Sequence, residues 1–93
     1  MSIRKQIEAT VEGRVQGVGF RASTVRVAKR LSCTGWVRNN TNGTVTCVAQ
    51  GDDDQLQQMI DFLEDGPPTA RVTSVNVDWQ GVSDVFEDFS IRH

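Results

Sequence analysis

The apolar residues of this chain change their spacing in a set order, and that order restricts the architecture more than any other feature. In QIEATVEG, Ile7, Ala9 and Val11 alternate with Gln6, Glu8, Thr10 and Glu12, the period of two that marks a strand buried on one face. From Ala22 to about Cys33 the period lengthens. Val25, Ala28 and Leu31 recur three apart, Val27 widens the stripe, and Arg26, Lys29 and Arg30 take the other side as solvated cations, which predicts an amphipathic helix. GWVRNNTNGTVTCVAQG returns to alternation, with Trp36 and Val37 before a polar turn closing on Asn42-Gly43 and Val45, Cys47 and Ala49 after it. Asn-Gly between alternating runs is a strong hairpin signal.

DDDQLQQMIDFLEDGPP predicts a second helix, with Leu56, Met59, Ile60 and Leu63 on one face and Gly66, Pro67 and Pro68 at its end. Capping and the helix dipole account for Asp52, Asp53 and Asp54 at its start, so no metal is expected there. Val75, Val77 and Trp79 alternate in one further strand, and Val85, Glu87, Phe89 and Ile91 in another. The order is that of an α+β ferredoxin-like βαββαβ sandwich: a mostly antiparallel sheet, two helices on one face, and an extra C-terminal strand. Trp36, Trp79, Phe62 and Phe89 are expected to be core or half-buried packing residues.

A chain of 93 residues forms one domain, here residues 1–93, with room for a single core. Its apolar runs are too short to span a bilayer and MSIRKQ lacks the apolar core of a secretory leader. A cytoplasmic protein without membrane association is therefore expected, and a monomer. Cys33 and Cys47 are too few for a disulfide framework and lack zinc-site spacing, so they are expected as packing thiols.

The net charge is only −2, but the charges are sorted. Between Gly13 and Gly51 the chain carries Arg14, Arg21, Arg26, Lys29, Arg30 and Arg38 and no acid, while every Asp and Glu except Glu8 and Glu12 lies in residues 52 to 93. Within the basic half, GRVQGVGFR, residues 13 to 21, joins the first strand to the first helix with three glycines and an arginine at each end of its polar stretch. Glycines let backbone N–H groups approach a ligand, a helix start adds partial positive charge, and a guanidinium offers a planar fork of donors. The loop is built for an anion, with phosphate the first candidate.

Several classes fall away. An RNA-recognition domain of this fold needs aromatic residues on its central strands, and IEATV and TVTCV contain none, so no nucleic acid is expected. A cysteine phosphatase needs a thiolate in a loop that closes on an arginine; Cys33 stands five positions before Arg38, one short of the usual spacing, and no arginine follows Cys47 in a comparable loop. The one histidine, His93, is the last residue, and no Gly-Lys-Ser or Gly-Lys-Thr of a nucleotide-binding P-loop occurs. What remains is a phosphate cradle with no covalent nucleophile, histidine base or metal cluster, and such a site can hydrolyse only a substrate that is already reactive.

VEGRVQGVGFR, residues 11 to 21, and GWVRNNTNGTVTCVAQG, residues 35 to 51, resemble the two signature patterns of the acylphosphatase family, and the likeness extends from Ile7 to Ile91. The resemblance implies hydrolysis of the carboxyl-phosphate bond of a small acyl phosphate, with no cofactor and with inorganic phosphate as product and competitive inhibitor. It assigns Arg21 to holding the phosphoryl group and Asn39 to positioning the attacking water. Backbone N–H groups of Val15, Gln16, Gly17, Val18, Gly19 and Phe20 are expected to complete the phosphate cradle with Arg21, while Arg14 and Arg38 raise the local potential. Two departures stand out: Cys33 in LSCTG replaces an apolar residue, and His93 occupies a position often held by tyrosine. The alternative is a non-catalytic anion-binding or regulatory module similar to this family, or a piece resembling the small domain found in some carbamoyl-phosphate-handling enzymes.

Overall fold

The structure is a computed structural model and describes residues 4–93. The elements run β1 (Lys5–Arg14), α1 (Phe20–Arg30), β2 (Thr34–Asn39), β3 (Val45–Gly51), α2 (Asp53–Asp65), β4 (Arg71–Gln80) and β5 (Phe89–Ile91). The strands form one mixed sheet in the order β4-β1-β3-β2-β5, antiparallel throughout except for β5 beside β2. This is the expected ferredoxin-like α+β arrangement with its additional C-terminal strand.

Alternation sorts the sheet into two faces. Ile7, Ala9 and Val11 of β1, Val37 of β2 and Val45, Cys47 and Ala49 of β3 are fully buried, together with Leu56, Met59 and Leu63 from α2 and Phe20 and Ala28 from α1. Phe20 meets Phe62 with ring centroids 6.1 Å apart, joining the two helices over the same side of the sheet. Helix α2 begins as its sequence requires: Asp52 Oδ1 accepts from the Gln55 backbone N–H at 2.8 Å while Gln55 Oε1 accepts from the Asp52 N–H at 2.8 Å. This reciprocal capping box contributes about 1 kcal/mol. Cys33 and Cys47 are buried free thiols among the packed side chains.

The sequence expectations are corrected in four places. Helix α1 starts at Phe20, not Ala22, because Gly19 takes the left-handed conformation that begins it, and it ends before Cys33. Its fully buried line is Phe20, Thr24 and Ala28, with Val25, Val27 and Leu31 only partly buried beside it. Thr24 joins this line because its hydroxyl donates to the Phe20 carbonyl at 2.8 Å, so burial leaves no polar atom unpaired. The last strand covers only Phe89–Ile91, and Val85 is 74% exposed. The reason is Gln50, a fully buried amide on the face away from the helices. It donates to Gln6 Oε1 and to the Asp84 carbonyl and accepts from the Phe86 N–H, so residues 84 to 86 bond to a side chain instead of a strand. Trp79, expected as a core or half-buried packing residue, lies outside the core at the β4 edge, 45% exposed.

Candidate active site

The topology collects one end of three strands. Strands β1 and β2 both run antiparallel to β3, and β5 runs parallel to β2, so the C-terminal ends of β1, β2 and β5 open on the same edge. There they surround a cavity of about 150 Å³ lined by Val15, Gly17, Gly19, Phe20, Arg21, Ala22, Asn39 and Ile91. Outside the carboxyl ends of parallel strands is where ligands commonly bind in α/β sheets.

The loop between β1 and α1 is held from several sides. Val15 and Phe20 are 1% exposed and anchor its ends in the core. Gln16 reaches away from the cavity, its Nε2 donating to the carbonyls of Asn40 at 2.8 Å and Thr44 at 2.9 Å. The Val18 carbonyl accepts from Thr69 Oγ1 at 2.6 Å. With these atoms turned outward, Gly17 and Gly19 face the opening.

Gly19 is the N-cap of α1 at φ 77° and ψ 17°, a conformation that only glycine adopts without strain. It offers no side-chain cap, and the first turn carries no acid. The first helical bond runs from the Ser23 N–H to the Gly19 carbonyl at 3.0 Å, so the N–H groups of Phe20, Arg21 and Ala22 begin a helix without intrahelical partners. Aligned peptide dipoles add partial positive charge at that point.

Arg21 and Asn39 line this cavity together. The one ion pair among the described residues joins Lys5 Nζ to Asp53 Oδ1 at 3.0 Å, leaving the half-buried Arg21 guanidinium without a carboxylate partner. Asn39 ends β2 on the same face as Val37, toward the helices, and pairs in register with Val45. Its Oδ1 is buried with no hydrogen-bond partner, whereas the next residue, Asn40, is fully engaged, donating to Thr44 Oγ1 at 2.9 Å and Thr46 Oγ1 at 2.8 Å. An unpaired buried amide oxygen costs roughly 1–3 kcal/mol, and none of the described residues supplies this acceptor with a donor.

The other expected residues are placed as follows. Val15, Gly17, Gly19 and Phe20 line the cavity; Gln16 and Val18 belong to the loop but not to its lining. Arg14 is exposed at the end of β1, opposite Arg71. Arg38 lies on the far face of β2, with its guanidinium 5.2 Å from the Trp36 ring centroid and its Nε bonded to Asn40 Oδ1 at 3.3 Å. Ala22 and Ile91 were not foreseen at the cavity. Ile91 reaches it because β5 docks parallel to β2 with Ile91 opposite Val37, a pairing that strand periodicity alone does not predict. Among the described residues, no group of three or more His, Cys, Asp or Glu is arranged to hold a metal, and no helix is long and apolar enough to cross a membrane.

A sequence model of the acylphosphatase family matches residues 7–91. An acylphosphatase of Salinibacter ruber is 50% identical over 88 residues, covering 95% of this chain and 93% of that protein. The solved structure of an acylphosphatase from Coxiella burnetii superposes with a TM-score of 0.91 at 41% identity, covering 97% of this chain and 94% of that one. A Bacillus subtilis acylphosphatase gives 0.92 at 34% identity, covering 96% and 99%.

Proposed function

The chain belongs to the acylphosphatase family, a family of hydrolases, and on that footing we propose that it hydrolyses the carboxyl-phosphate bond of small acyl phosphates. The observation that carries this reading is the unpartnered, buried Asn39 Oδ1 on the cavity that Arg21 and the start of α1 also line. The phosphoryl group sits against the N–H groups of residues 15 to 20, and Arg21 adds charge-assisted bonds to its oxygens. Asn39 Oδ1 accepts a hydrogen from water and turns a water lone pair toward phosphorus. Water attacks phosphorus as the P–O bond to the carboxylate breaks, giving carboxylate and inorganic phosphate and releasing one proton.

Each element of this reaction matches the chemistry of the lining. A carboxylate leaving group, with a conjugate-acid pKa near ~4, departs without a proton donor, and the lining contains no acidic or imidazole side chain. The transition state of phosphoryl transfer is loose, so water does not have to be deprotonated in advance. What the reaction needs is alignment of water and fixed positive charge around the equatorial oxygens. An amide suits the water site because a carboxylate there would repel the phosphoryl group. Val15, Ala22 and Ile91 give the cavity apolar walls beside these polar groups. All of these groups come from one chain, so a monomer suffices.

The test is turnover of benzoyl phosphate by the purified protein with EDTA present, followed by ultraviolet absorbance. Rapid hydrolysis is expected, inhibited competitively by inorganic phosphate, while phenyl phosphate, whose leaving group is a far stronger base, stays intact. Phosphate binding without turnover would replace the enzyme reading with that of an anion-binding module.

A further inference from the structure

We infer that Gln16 is a positioning residue, which sets the distance between the phosphate cradle and the water held by Asn39; this rests on the function proposed above. The cradle belongs to the β1–α1 loop and Asn39 to the β2–β3 hairpin, so the two halves of the reaction are carried by different segments. The Gln16 side chain bridges them directly: one amide nitrogen donates to both Asn40 O and Thr44 O, at 2.8 and 2.9 Å. Asn40 directly follows Asn39, and Thr44 directly precedes Val45, its register partner. Gln16 therefore grips both strands of the hairpin at the point where Asn39 leaves the sheet.

These two carbonyls do not depend on Gln16 for satisfaction. Asn40 O also accepts from the Gly43 N–H at 3.2 Å, and Thr44 O accepts from the Asn40 N–H at 2.8 Å. Removing the Gln16 amide leaves each with its hairpin bond, so the turn keeps its own closure. The cradle is likewise held independently, by Val15 and Phe20 in the core and by Thr69 on the Val18 carbonyl. What is lost is the link between the two segments. In-line attack is sensitive to this, since a displacement on the order of 1 Å can cost up to about 10²-fold in rate.

The experiment compares wild type with Gln16→Ala and with Gln16→Met, which keeps the length of the side chain and removes its donors. Benzoyl phosphate kcat, the phosphate inhibition constant and Tm are measured for each. The expected result is a fall in kcat of about 10-fold or more in both variants, with the phosphate inhibition constant within about twofold of wild type. Unchanged kcat in a folded variant overturns the inference, and so does a loss of phosphate affinity equal to the loss in kcat, which marks a general collapse of the cradle. If Gln16→Ala does not fold, Gln16→Met decides. A wild-type protein that does not hydrolyse benzoyl phosphate overturns the function itself, and this positioning role with it; a variant as active as an active wild type overturns the role alone.

Discussion

At the scale of single residues, the proposed reaction divides its work between two side chains that act on different parts of the reacting system. On the proposed mechanism Arg21 holds charge present in the bound phosphate and in the transition state alike, whereas Asn39 touches only the attacking water. Their removal should therefore separate in a kinetic comparison. Arg21→Ala should weaken phosphate inhibition by about 10-fold or more and lower kcat/KM by about 10³-fold, since charge-assisted bonds are lost in both states. Asn39→Ala should lower kcat by about 10²-fold and leave phosphate inhibition nearly as it was. Retained phosphate affinity in Arg21→Ala, or undiminished turnover in Asn39→Ala, would remove that residue from its role. Both positions are legible only through the likeness of residues 11–21 and 35–51 to the two family patterns, since an arginine at a helix start and an asparagine closing a strand read by themselves as surface and turn residues. The Gln16 side-chain bridge is not, since an amide gives no local indication of which carbonyls will lie within its reach.

At the scale of elements, what matters is how β2 presents Asn39. Strand β2 packs tightly on β3 at Gly35, where φ is 142° and an added Cβ would collide with the Val48 carbonyl. Gly35→Ala should destabilise the protein by about 3 kcal/mol, seen in thermal unfolding as a Tm at least about 10 °C lower; a shift of only a few degrees would show that the strand has room to spare. Strands and helices with regular apolar spacing are readable from sequence because each follows from local alternation. The Asp52 cap, the Leu56, Met59, Ile60 and Leu63 face and the Ile7, Ala9 and Val11 face are examples. The start of α1 is not readable from spacing, because Gly19 looks like a loop glycine and only its left-handed geometry makes it the N-cap. Strand β5 is shorter than its alternation predicts, because Val85 and Glu87 keep the period of two while the buried Gln50 takes the backbone bonds of Asp84 and Phe86.

At the scale of the whole molecule, the sorting of charge along the chain becomes a sorting in space only in part. Arg26, Lys29 and Arg30 are exposed on α1, and Arg38 turns to the far face, so Arg21 is the cation that enters the cavity. The core has a pH limit of its own. Burial pushes the Cys33 thiol up to about 11 and Cys47 up to about 12, from an ordinary 9.0. The folded state therefore keeps these protons after the unfolded chain has released them. Stability contributed by the two neutral thiols is complete below pH 9 and declines as pH rises toward 11 to 12. Unfolding followed across that range should show Tm falling less in a Cys33→Ala, Cys47→Ala double variant than in wild type; parallel curves would dissociate the thiols from the alkaline limit. On the proposed mechanism, water held by Asn39 attacks phosphorus held in the cradle. The most direct test is hydrolysis of benzoyl phosphate in oxygen-18 water, with both products analysed by mass spectrometry. Attack at phosphorus places the solvent label in inorganic phosphate and not in benzoate; label in benzoate would mean attack at the carbonyl carbon, and would contradict the mechanism.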